Sequence, residues 1–77
     1  MKFKPLDVVV LQKDLPTNGL KRGDLGAVVD VYEPDGLEVE FVTASGKTEA
    51  LVTLKTADVR AVANNDLVAV RSLSGAA

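Results

Sequence analysis

Apolar residues recur at every second position along much of this chain, and the places where the alternation stops divide it into short extended segments. Leu37, Val39 and Phe41 alternate with Glu38 and Glu40, which predicts a strand over 37–42 with one buried and one solvated face. Ala50, Val52 and Leu54 alternate with Glu49, Leu51 and Thr53 and predict a second such strand over 48–54. Around Gly23 to Tyr32, the stretch expected to form the centre of the sheet, Leu25, Ala27, Val29 and Val31 fall on one face. Gly26, Val28, Asp30 and Tyr32 fall on the other. Leu6-Asp7-Val8-Val9-Val10-Leu11 is apolar at both parities, so both faces of this first strand require cover. By analogy with the later strands, Leu6, Val8 and Val10 are assigned inward.

Breaks between these runs carry turn chemistry. Gln12 to Arg22 forms a long connection with Pro16, Asn18 and Gly19, from which Leu15 and Leu20 are expected to tuck back. Gly26 within a strand predicts a bulge or a close backbone approach. Glu33-Pro34-Asp35-Gly36 reads as a turn whose first corner is fixed by proline and whose second is left-handed at glycine. Ala44-Ser45-Gly46-Lys47 reads as a hairpin. Thr56-Ala57-Asp58 offers a hydroxyl and a carboxylate to cap a single 3₁₀ turn before a fifth strand, Val59 to Val62. After Asn64-Asn65-Asp66, the run from Leu67 to Leu73 predicts a sixth strand and a frayed Ser-Gly-Ala-Ala end. The expectation is an all-β domain over 1–62 and a C-terminal extension over 63–77 used in packing or oligomerisation.

With Leu25, Val29, Val31, Val39, Phe41, Val52 and Leu54 inside, Val9, Leu11, Val28, Tyr32, Val42 and Leu51 point outward. A domain of 77 residues has a thin core and cannot shelter both sets. Either the C-terminal segment, through Leu67, Val68, Val70 and Leu73, folds over the outward set, or another chain does. The second is the expectation, with the tail added edgewise to a neighbouring copy in a two-fold dimer or larger ring. The partner-binding residues are therefore Val9, Leu11, Val28, Tyr32, Val42, Leu51, Leu67, Val68 and Val70.

Composition narrows the chemistry. Without cysteine or histidine there is no disulfide, thiolate metal site, cysteine nucleophile or imidazole base. Ser45, Ser72 and Ser74 have no histidine to activate them. Glu38 and Glu40 stand ~7 Å apart on one strand face, a spacing carboxylate pairs use in glycosidases, but exposed charge on an outer face is the ordinary reading. Gly23 and Gly26 precede a strand where a phosphate-binding loop needs a helix. No metal, cofactor or catalytic residue is expected. Net charge is -2 and the isoelectric point near 4.9. Lys13, Lys21, Arg22 and Lys47 lie on loops interleaved with Asp14, Asp24, Asp30 and Glu33, so nucleic acid is the lesser alternative. With neither a signal-peptide pattern nor a membrane-spanning run, a cytoplasmic location is expected.

Leu6 to Leu11, the long loop, Leu20-Lys21-Arg22-Gly23-Asp24-Leu25-Gly26-Ala27-Val28-Val29, the tight hairpin and the Val-Glu-Phe strand resemble an SH3-like barrel of the KOW and nitrile-hydratase-β-subunit type. A nearer likeness is to a family of short bacterial proteins of unknown function that open with Leu-Asp-Val-Val-Val-Leu. They continue with Asp-Leu-Pro, here Asp14 to Pro16, with Gly-Leu, here Gly19-Leu20, and with Gly-Asp-x-Gly-x-Val-Val, here Gly23 to Val29. The likeness covers roughly Pro5 to Val62. It implies a small barrel of about five strands with a 3₁₀ turn before the fifth, and little about activity, because the architecture hosts unrelated functions. The expected function is a non-enzymatic protein-interaction module that self-associates. Its hetero-partner would be a small cytoplasmic protein encoded nearby, such as a toxin that an acidic domain neutralises. The alternative is a KOW-like nucleic-acid-binding barrel.

Overall fold

A computed structural model gives the structure of the protein, describing residues 2–73. Five antiparallel strands, β1 (Val8–Leu11), β2 (Leu25–Tyr32), β3 (Gly36–Val42), β4 (Thr48–Lys55) and β5 (Val59–Ala61), form one open sheet in the order β4-β3-β2-β1-β5. Two 3₁₀ turns, Pro16–Asn18 and Thr56–Asp58, complete the regular structure among the described residues, which contain no α-helix. The alternation that predicted β3 and β4 holds, and the valine-rich runs are extended because branched side chains suit a pleated surface. The 3₁₀ turn before β5 also forms. Its cap is the Asp58 carboxylate, which accepts from the Lys55 N–H at 2.9 Å, in place of a threonine hydroxyl.

One core lies against one face of the bent sheet. Phe3, Val9, Leu11, Leu20, Val28, Leu37, Val39, Phe41, Leu54 and Val59 are buried together, with Leu15, Val31, Ala50 and Val52 packed around them. Leu15 and Leu20 tuck back as expected, bonded to each other through their backbones across the first 3₁₀ turn. Phe3 joins this core from outside any strand. A lone aromatic before a proline carries no periodicity to place it.

The parity of β1 and of the first half of β2 is the reverse of the expectation. Val9, Leu11 and Val28, assigned outward as partner contacts, are wholly buried in the core. Leu6, Val8, Leu25 and Val29, assigned inward, are exposed, and Val10 is buried on the opposite face. In β1 three adjacent valines carry no signal of which meets the core; in β2 the cause is a bulge, since Val28 pairs with Val39 and then Asp30 with Glu38, leaving Val29 as an extra residue. Gly26 and Val28 face the core before it and Val31 after it, so no single alternation describes the strand. Gly26 itself is the close approach. A Cβ there would lie 2.6 Å from Val39 Cγ1.

Gly36 has no left-handed backbone, and the turn before it carries a cis peptide at Glu33–Pro34. The expected sixth strand is absent: residues 67–73 form no strand. The frayed end expected at 74–77 lies outside the described residues.

Candidate interaction surface

The face of the sheet away from the core is built by the same registers. Val8 pairs with Ala27, Ala27 with Glu40 and Glu40 with Leu51, giving one lateral row across β1 to β4. The neighbouring row runs from Arg60 through Val10 to Leu25. Cross-strand partners share a face, so both rows stand on the outer side. The acidic positions are fastened within it: the Thr53 hydroxyl donates to Glu38 Oε1 at 2.6 Å and the Thr48 hydroxyl donates to Glu40. Near the end of the sheet the Tyr32 hydroxyl is held above its usual pKa, first by partial desolvation and then by the Glu38 and Asp30 carboxylates.

Across the Val10 and Leu25 row lies the C-terminal segment. Asp66 to Ala69 border one cleft with Val10, Leu25, Arg60 and Val62. Ala69 to Leu73 border a larger one, about 510 Å³, with Leu20, Leu25, Phe41 and Val42. The segment thus crosses the strands from the β5 side towards the β3–β4 hairpin, and a chain running across strands cannot join their ladder. That is why a valine-rich run forms no strand here.

Two arginine–aspartate forks hold it. Arg60 donates to both oxygens of Asp66 at 2.8 and 3.0 Å, and the Ala63 N–H adds a bond to Asp66 Oδ2 at 2.7 Å. Arg71 donates to both oxygens of Asp24, at 2.8 and 2.6 Å, and to the Gly19 carbonyl at 3.0 Å. Such planar bidentate pairs are the strong ion pairs of proteins. The Arg60 fork pulls the Asp66 pKa down to about 2. The Arg71 guanidinium likewise holds Asp24 below the usual carboxylate range.

While its polar groups grip the sheet, the segment turns its apolar side chains away. Leu67 is 93% exposed, Val70 98% and Val68 68%. Tyr32, Val42 and Leu51 are exposed as expected, and with the segment they make six of the nine anticipated contact residues available at the surface. The other three, Val9, Leu11 and Val28, are in the core, and Val8, Leu25 and Val62 take their place outside. Reversing the parity of β1 would have found Val8. Val8, Leu25, Val42, Leu51, Val62, Leu67, Val68, Val70 and Leu73 are all exposed, Leu67 and Val70 almost wholly, and contiguous apolar surface on a soluble monomer marks an interaction site.

Among the described residues no cluster of three or more acidic side chains could hold a metal ion, and no helix is long and apolar enough to cross a membrane. The cations are interleaved with carboxylates in space as in sequence. Lys13 pairs with Asp58 at 3.2 Å, and the backbones of Lys21 and Arg22 donate to Asp24 and Asp14. No curated protein and no solved structure matches the chain. Residues 6–61, which hold all five strands and the bulge, match the family described as Domain of unknown function (DUF4926), and the chain belongs to that family.

Proposed function

We propose that this chain is an SH3-like barrel serving as a non-enzymatic, cytoplasmic protein-interaction module that self-associates. The barrel reading is supported by the strand order, with β1 between β2 and β5, and by the 3₁₀ turn leading into β5. The observation that carries the function is the crossing segment, held by its polar groups with Leu67, Val68 and Val70 facing solvent. Burying an apolar side chain is worth about 1.5–3 kcal/mol, so these exposed side chains are a standing driving force for association. A small protein partner, such as a toxin neutralised by an acidic domain, would use the same surface.

Light scattering of the full chain over a range of concentrations, beside a Val68→Asp/Val70→Asp variant, tests this. The full chain is expected to gain mass with concentration and the variant to reach a lower mass at the same concentrations, having lost the contact made by the crossing segment. A full chain that stays monomeric to ~1 mM, where only negligible affinity escapes detection, overturns the reading.

A further inference from the structure

The outer edge of β4 is unpaired: among the described residues the sheet ends there, eight residues from Thr48 to Lys55. Its open groups can be identified. The Thr56 N–H turns inward to the Asp35 carbonyl and the Lys55 N–H turns away from β3 to the Asp58 carboxylate. Peptide groups alternate sides along a strand, so Thr53 and Leu51 present both N–H and C=O to the free edge. Exposed edges of this length template pairing with another chain unless something blocks them. Here there is no proline and no inward-pointing charge, because Ala50, Val52 and Leu54 face the core side, and the irregularity at Glu49 and the Asp58 carboxylate on the Lys55 N–H confine the open stretch to Ala50 to Leu54.

We infer that the occupant of this edge is a second copy of the same strand, paired antiparallel about a two-fold axis through Val52. This rests on the reading that the chain self-associates and adds a second contact, separate from the crossing segment. Three registers bring open groups face to face. One sets Leu51 against Leu51 and Lys47 against Lys55, a cation against a cation. Another sets Thr53 against Thr53 and Glu49 against Ala57, leaving the charges unmatched. The third, centred on Val52, sets Leu51 against Thr53 twice and Glu49 against Lys55 twice. Only the third places opposite charges at both ends, and opposite-charge cross-strand pairs stabilise while like pairs destabilise. Glu49 is the extra residue of the β3–β4 irregularity, exposed at the end of the strand, so its long side chain is free to reach Lys55. Two Leu51–Thr53 pairs exchange four backbone hydrogen bonds, and Val52, only partly buried in one chain, meets its own copy across the axis. The product is a continuous ten-stranded sheet with closed isologous symmetry.

Charge exchange tests this in the Val68→Asp/Val70→Asp background, where the crossing segment no longer contributes. That protein is expected to be a dimer by light scattering. Adding Glu49→Lys or Lys55→Glu should each weaken dimerisation about tenfold or more, since two attractive pairs become repulsive. Mixing the two single-charge variants should restore a dimer, now a heterodimer detectable by native mass spectrometry. The amides of Leu51 and Thr53 should exchange slowly in the dimer and quickly in either variant alone. If the background protein is monomeric while the wild type associates, strand pairing is refuted and the interaction-module reading stands. Charge variants that dimerise as well as their parent, or that fail to complement each other, also refute it.

Discussion

Gly26 to alanine is a demanding test of the core packing, because one methyl group must enter where two buried side chains already meet. A Cβ at this position would stand 2.6 Å from Val39 Cγ1 and 2.9 Å from Phe41 Cε1. Neither neighbour can swing into solvent, since both are buried in the core. Overpacking of this kind costs about 1–3 kcal/mol, against which the stiffer unfolded chain returns about 0.4–1 kcal/mol. The expected net loss is about 1–2 kcal/mol, or a fall in Tm of roughly 5–15 °C for a domain of this size. Urea unfolding should show a lower midpoint at unchanged m-value, because the surface exposed on unfolding is the same. The Val39→Ala background supplies a control. With the Val39 methyls gone, Phe41 alone crowds the new methyl and has space to yield, so the same Gly26→Ala change should cost less, a coupling of about 1 kcal/mol or more between the sites. If Gly26→Ala is as stable as the parent in both backgrounds, β2 does not approach β3 as described.

Leu6 holds a left-handed backbone, φ 79°, with its side chain 86% exposed, so it has conformational strain and little burial to lose. Leu6→Gly should therefore be more stable than Leu6→Ala by about 0.5–1 kcal/mol in chemical unfolding, the reverse of the usual order; a less stable glycine variant would contradict this. Asp66 has a pKa lowered to about 2, so its contribution is present above the ordinary carboxylate value and disappears as pH falls through about 2. An NMR titration should give the Asp66 carboxylate a midpoint near 2, and a midpoint at its ordinary 3.8 would remove the Arg60 fork. Arg71→Ala should lower the backbone ¹⁵N heteronuclear NOE over 67–72 with little change in global Tm, because the fork holds an exposed segment and no core residue; equal loss in both would place the segment in the cooperative fold.

Much of the fold was legible in the sequence because β3 and β4 alternate, with only Val42 and Leu51 apolar on the outer side, and their turns carry glycine, proline and serine. The 3₁₀ turn before β5 and the inward Leu15 and Leu20 were legible for the same local reasons. What escaped was parity. Val8, Val9 and Val10 are chemically alike, so nothing in the run says which of them meets the core, and Val29 is an insertion visible only in its pairing with β3. The surface suffered from the same ambiguity: the chain does have two apolar faces, but Val9, Leu11 and Val28 belong to the other one. The crossing path of the tail was hidden too, because Leu67 to Val70 resemble a strand and the residues that decide their course, Asp24 and Arg71, lie far apart in sequence.

The tail is a segment with two chemically different sides, and salt acts on them in opposite directions. Its hold on its own sheet is ionic and weakens as ions screen the Asp24 and Asp66 forks. Contacts made by Leu67, Val68 and Val70 with any cover would strengthen in sulfate, which raises the cost of exposing apolar surface. Ionic strength and ion type therefore tune, without any change of sequence, whether these residues stay folded against their own chain or are handed to a neighbour.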